Sequence, residues 1–149
     1  MTEPSLRERA LRHLARRDHS RAELARKLAP HGSAEEIDEV LTRMTELGLL
    51  SDDRFAEAWV RGKAGRFGTT RLRHDLARRG VARDTIDAAL ANECMDDEIA
   101  RARTLWNSKF GTAPGDAREW ARQARFLQSR GFASDVIRRL LKENPDESA

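Results

Sequence analysis

Three times along this chain a leucine stands four residues ahead of a glycine, and an isoleucine follows that glycine after five or six residues. The sets are Leu28, Gly32 and Ile37, then Leu76, Gly80 and Ile86, then Leu127, Gly131 and Ile137. Each isoleucine is followed at i+3 and i+4 by an apolar pair: Val40 and Leu41, Ala89 and Leu90, Leu140 and Leu141. The leucine belongs to the apolar stripe of one helix, the glycine stops that helix, and the isoleucine opens the stripe of the next. With glycine-to-glycine periods of 48 and 51 residues, the simplest account is an all-α chain of three tandem three-helix, helix-turn-helix-like repeats forming an elongated, curved array. The expected divisions are 1–48, 49–92 and 93–143, with an acidic tail at 144–149. The competing account is one irregular helical bundle whose glycines are only stop signals. Helix termination by itself, however, does not require the matching isoleucine groups.

Local signals agree with helices throughout. The first is expected from about Ser5 to Arg17, with Leu6, Ala10 and Leu14 on one face, and a second from about Ser20 carries Leu24 and Leu28 until Pro30 and Gly32. Ser33 and Glu36 form an S-x-x-E capping box ahead of Ile37, Val40, Leu41, Met44 and Leu47, and Gly48 ends that helix. Ser51 can cap a helix whose first turn holds Asp52 and Asp53, favourable against the positive end of the helix dipole. Thr69 or Thr70 starts the next helix, with Leu72 and Leu76 as its stripe. In the last third Ile99, Ala102, Trp106 and Phe110 precede a loop at Gly111–Gly115, then come Trp120, Ala124 and Leu127, and Ser134 can cap a final helix.

Composition excludes several classes. Hydrophobic residues make up 39% and aromatic residues 5% of 149 residues, enough for small helical cores but poor material for sheets. No apolar run approaches the roughly 20 residues that span a bilayer, and none resembles a signal peptide. A soluble, cytoplasmic protein is therefore expected, and we expect it to be a monomer. Cys94 is the one cysteine, set among Glu93, Asp96 and Asp97, which rules out an internal disulfide and disfavours a reactive thiolate. His13, His19, His31 and His74 show no metal-ligand spacing and read as solvated or partly packed side chains. Carboxylate pairs such as Glu35 with Glu36 and Asp52 with Asp53 sit in first helical turns, where capping explains them without catalysis. Trp59, Trp106 and Trp120 occupy apolar helical positions, which favours core packing over base stacking. No catalytic constellation, metal or cofactor is expected.

Charge is informative because it is segregated. A net charge of +3 hides residues 61–83, which hold eight basic residues against one acid. Arg61, Lys63, Arg66, Arg71, Arg73, Arg78 and Arg79 are candidates for an anionic partner, with Arg21, Arg26, Arg125 and Arg130 as further ones. A solvated face with an Arg71 to Asp75 pair is the alternative. The run Gly65 to Arg71 could also present helix-start amides to a phosphate, or be a plain connection. A duplex-reading helix-turn-helix is disfavoured, because the helices after the first two glycine turns are acidic at Glu35, Glu36, Asp38 and Glu39 and at Asp84 and Asp87.

The segments HSRAELARKL (19–28), LGLLSDDRFAEAWVRGKAGRFG (47–68) and RFLQSRGFASDVIRRLLK (125–142) closely resemble the RecX family of bacterial recombination regulators. The similarity runs from about Leu6 to Lys142, with Thr112 to Asp116 the weakest stretch. The resemblance implies three-helix repeats, and a protein that binds the RecA recombinase filament on DNA and inhibits its ATPase, strand exchange and filament extension. No short motif of the family transfers individual contact residues, so the candidate arginines and lysine rest on charge. The alternative function is a general, non-sequence-specific DNA-binding helical-repeat protein.

Overall fold

A computed structural model of the chain describes residues 2–63, 65–91 and 95–142, without the side chains of 95 and 96. Cys94, Glu93, the side chain of Asp96 and the acidic tail lie outside the described residues. Among the described residues there are nine α-helices, one 3-10 turn and no strand. The helices are α1 (Leu6–Arg16), α2 (Arg21–Leu28), α3 (Ala34–Glu46), α4 (Asp52–Lys63), α5 (Thr69–Arg78), α6 (Arg83–Leu90), α7 (Met95–Lys109), α8 (Ala117–Ser129) and α9 (Ser134–Leu141), with the 3-10 turn at Ala29–His31.

The repeat positions are core positions. Leu28, Leu76 and Leu127 are fully buried, and Ile37, Ile86 and Ile137 nearly so. Each such side chain contributes on the order of 1.5–3 kcal/mol by leaving water. The turn glycines are not all equivalent. Gly80 and Gly131 have φ of 79° and 87° and close their helices in the left-handed region, as Gly48 does at 75°. Gly32 is extended, because Pro30 draws the chain into the 3-10 turn before the helix can close on a left-handed residue. A Cβ on Gly32 would lie 2.7 Å from a methyl at the end of the Leu6 side chain.

Caps follow the expected chemistry with one correction. Ser5 caps α1, and Ser20 with Glu23 and Ser33 with Glu36 complete reciprocal capping boxes on α2 and α3. The Ser51 hydroxyl accepts from the Arg54 amide at 3.1 Å. Asp116 caps α8 through the Glu119 amide at 2.8 Å. Ser134 does not cap α9: Ala133 is the extended residue at the cap, its carbonyl accepts from Ile137 at 3.0 Å, and Ser134 is already inside the helix.

The helices gather into two compact units. The first comprises Met1–Ala58 with Leu76–Ala89 and the second Trp59–Asp75 with the chain from Leu90 onward, so α4 and α5 each contribute to both. In the first unit Ala10, Leu24, Leu28, Leu41 and Met44 form the centre of the core, with Leu6, Leu14 and Val40 packed against it. In the second, Ala102, Leu127, Phe132, Val136 and Ile137 do so, flanked by Trp106, Trp120 and Phe126. Gln123 is buried in that unit and fully employed: its Oε1 accepts from Trp106 Nε1 at 2.7 Å and its Nε2 donates to the Thr112 carbonyl at 3.0 Å. That polar bridge ties the Gly111–Gly115 loop to the core.

Candidate functional site

The basic segment is built from the end of α4, the link after it and α5. Arg61, Arg66, Arg73 and Arg78 are exposed, whereas Lys63, Arg71 and Arg79 are half-buried. Lys63 Nζ lies 5.2 Å from the centre of the Trp59 ring, a cation on an aromatic face. Arg71 pairs with Asp75 at 3.1 Å, one turn along α5, and places its guanidinium 4.7 Å from the Phe67 ring centre. Leu72 and Leu76 occupy the buried side of the helix, as their spacing requires.

The segment is divided between the two units. Arg61, Lys63, Arg66, Arg71 and Arg73 belong to the second, with Arg125 and Arg130, while Arg78 and Arg79 belong to the first, with Arg21 and Arg26. Within the second unit, Arg71 and Arg130 are brought together. The Gly68 amide donates to the Arg130 carbonyl at 2.8 Å, and Gly131 lies directly against Arg71. Arg130 stacks at 5.3 Å on Phe126, and Arg125 is exposed.

Within the first unit, Arg21 is held by the fold. Its amide donates to Asp52 Oδ1 at 2.7 Å, and its guanidinium donates to Asp38 Oδ1 at 2.7 Å and Thr42 Oγ1 at 3.1 Å. These bonds clamp α2 to α3 and α4, so its charge is largely answered inside the protein. Beside the clamp, Ala22, Ala25, Ala29, Ile37 and Leu41 line an apolar groove of about 500 Å³. Arg26 is exposed on α2. The arginines that combine exposure with candidate status are therefore Arg61, Arg66, Arg73 and Arg78, with Arg26 and Arg125.

The link before α5 is not an open phosphate cradle. The Gly68 amide is taken by Arg130, and the Thr69 amide donates at 2.9 Å to Glu98 Oε1, whose residue is buried. A carboxylate of the protein itself occupies the place an anion would take at this helix start.

The histidines are less scattered than their numbering suggests. His19 is 2% exposed, its ring edge-on to His13 at 5.7 Å, and its two nitrogens face the Arg17 carbonyl at 3.0 Å and Lys27 Nζ at 2.8 Å. Arg9 reaches His31 Nε2 at 3.5 Å. Burial lowers the His13 pKa first, followed by the positive charges of Lys27, Arg16, Arg17 and His31. Burial also dominates at His19, lowering it despite the Arg17 carbonyl and Glu23. Burial pushes Glu23 upward, but the Ser20 amide and Arg17 together hold it below the usual carboxylate range. Proximity of His13, His19, Lys27 and His31 was readable only from the way α1, α2 and the 3-10 turn pack. The one signal in the sequence was the spacing of Arg9, His13 and Arg16 along one helical stripe.

Among the described residues no three His, Cys, Asp or Glu side chains are grouped to hold a metal ion, and no helix is long and apolar enough to cross a membrane.

Comparison with known proteins accounts for the repeats. Family models described as the first, second and third three-helix domains of RecX match residues 7–44, 51–90 and 96–141 in order. The chain is 50% identical over 139 residues to a protein of Leptothrix cholodnii named Regulatory protein RecX, covering 93% of this chain and 88% of that one. It is 44% identical over 144 residues to a protein of the same name from Chromobacterium violaceum, covering 96% and 93%. The crystal structure of RecX from Lactobacillus salivarius shares the fold at a TM-score of 0.78, with 20% identity and 92% of each chain covered. Three three-helix domains in the same order, with relatives alike over nearly their full length, place this chain in the RecX family.

Proposed function

We propose that this chain is a regulator of homologous recombination and DNA repair that binds the RecA filament on DNA and inhibits its ATPase, strand exchange and filament extension. The observation that carries the reading is the match of three successive RecX domains, together with relatives named regulatory proteins. The exposed arginines Arg61, Arg66, Arg73 and Arg78 are the surface we assign to the contact, with Arg26 and Arg125 as secondary positions. A filament of protein on DNA presents a regular anionic lattice, and cations on successive repeats suit it better than a single concave pocket would. We take the repeats to end near residues 48, 92 and 143, and the protein to act as a cytoplasmic monomer without chemistry of its own.

The test is RecA-dependent ATP hydrolysis on single-stranded DNA as this protein is titrated in. Hydrolysis and strand exchange are expected to fall as the two approach comparable concentrations. No change with a RecA from the same organism sinks the reading. The second reading, a general DNA-binding protein, is favoured by the same arginines and expects tight, salt-sensitive DNA binding without RecA. Its failure would be the absence of binding at moderate salt.

A further inference from the structure

The first unit gathers a second group of cations outside the basic segment of α4 and α5. On α1, Arg9, His13 and Arg16 follow one another at i, i+4 and i+7 along a stripe beside the buried face of Leu6, Ala10 and Leu14. Lys27 from α2 and His31 from the 3-10 turn meet that stripe. Lys27 Nζ donates to His19 Nε2 at 2.8 Å, the His19 ring abuts His13 at 5.7 Å, and Arg9 donates to His31 at 3.5 Å. Arg16, Lys27 and His31 are exposed, and Arg9 and His13 half-exposed. None of Arg9, Arg16 and Lys27 has a carboxylate partner among the described residues.

Guanidinium and ammonium groups donating to imidazoles, with Glu23 felt at His19 but no carboxylate on Arg9, Arg16 or Lys27, make an arrangement that leaves room for an anion. The ligand chemistry follows from the layout. Arg16 follows Arg9 by seven positions, a rise of about 10 Å along the helix. A row of that length with cations on a second element suits a chain of regularly spaced phosphates better than one compact anion.

We propose that Arg9, His13, Arg16, Lys27 and His31 form a phosphate-binding face on the first domain, which takes the sugar-phosphate backbone of a nucleic acid and gains a proton on His13 as it does so. The groups around His13 are Arg16 and Arg17 from its own end of the chain, His19 from the link, Lys27 from α2 and His31 from the 3-10 turn, with Glu23 acting on His19. Burial first, and those cations next, disfavour an imidazolium at His13, and a bound phosphate offsets the part due to the cations. Proton and phosphate therefore assist each other reciprocally. If the His13 titration moves up by one pH unit on binding, affinity well below both titrations exceeds affinity well above them by about tenfold. The residues of this face are distinct from those assigned to the filament, and its test contains no recombinase, so the two readings fail separately.

The experiment is an NMR titration of the histidine rings in the full chain with oligothymidylate, compared with inorganic phosphate and with polyglutamate. The His13 ring is expected to titrate at higher pH with oligothymidylate, and DNA affinity to be greater near about pH 6 than near about pH 8. Arg16→Gln, at an exposed position that forms none of the buried contacts, is expected to shallow the salt dependence by about one phosphate contact. Arg9→Gln with Lys27→Gln should shallow it by about two. His13→Gln should remove the pH dependence while leaving binding at high pH. An equal response to inorganic phosphate or polyglutamate overturns the assignment to a nucleic-acid backbone. A response at His74 on α5 without one at His13 overturns the face itself while leaving DNA binding through the other basic segment.

Discussion

The Ser20 hydroxyl donates a 2.7 Å hydrogen bond to the carbonyl oxygen of Arg79, 59 residues further along the chain. Arg79 stands immediately before the turn glycine Gly80, and Arg130 stands in the same relation to Gly131. The Arg130 carbonyl is also taken, by the Gly68 amide at 2.8 Å. Ser20 and Gly68 each precede the first residue of a repeat's second helix, α2 or α5. One connection, from the start of that helix to the last carbonyl before the next repeat's glycine, is thus made twice by different chemical groups.

Ser20 carries two duties. It completes the capping box of α2, with bonds of 3.1 Å in both directions to Glu23, and it satisfies the Arg79 carbonyl. Ser20→Ala is expected to cost about 2 kcal/mol by urea denaturation, against about 1 kcal/mol for Ser33→Ala, which removes an exposed capping box alone. Equal losses would mean that the Arg79 bond contributes nothing.

Two glycines separate backbone strain from packing. Gly48 and Gly131 have similar positive φ values, but a Cβ at Gly48 meets nothing within 4 Å, while one at Gly131 would lie 2.0 Å from Arg71 Cβ and 2.7 Å from its amide nitrogen. Gly48→Ala should cost about 1–2 kcal/mol for the left-handed conformation alone. Gly131→Ala should cost more than twice that, seen as a larger fall in Tm, because the neighbour in the way is backbone as well as side chain. Similar falls would show that α5 moves away freely.

His19 makes stability depend on pH. Burial holds its folded-state pKa below the ordinary 6.5, so below that value the unfolded chain binds the extra proton more readily than the folded chain. Stability should therefore be at its full value above about pH 6.5 and decline as pH falls from there towards the folded value, with His13 adding in the same direction. The carboxylates held low, Glu23, Glu36 and Glu119, add a separate loss in more acid solution. Urea midpoints between about pH 7.5 and 5.5 check this, and His19→Gln should flatten the decline. An unchanged slope in that variant would assign the effect to other groups.

The exposed and the employed arginines should behave differently. Reversing Arg61, Arg66 and Arg78 to Glu is expected to weaken inhibition of RecA ATP hydrolysis at least tenfold with helix content unchanged, since each mainly meets solvent. Arg71→Glu should lower Tm as well, because it loses the Asp75 pair and the Phe67 stack and sets a like charge beside Asp75. Full inhibition by the triple reversal would place the contact on another face.

Local sequence is sufficient for the helices, for the buried Leu28, Leu76 and Leu127, and for the capping serines at 33 and 51. Each depends on neighbours within a turn or two, and the division of apolar from polar positions along a helix is written locally. It fails at Ser134, where the helix begins one residue earlier than the capping pattern suggests. The arginines of 61–83 stand out by charge, and the Arg71 to Asp75 pair follows from i,i+4 spacing, but the stacking of Arg71 on Phe67 does not follow from either. Nor could charge or spacing show Glu98 filling the anion position at Thr69, or His13, His19, Lys27 and His31 converging. Those outcomes turn on which side chains meet across residues far apart in the chain. Only the packing of helices decides that, because a charge has no fixed consequence until its distance to other charges and to water is set.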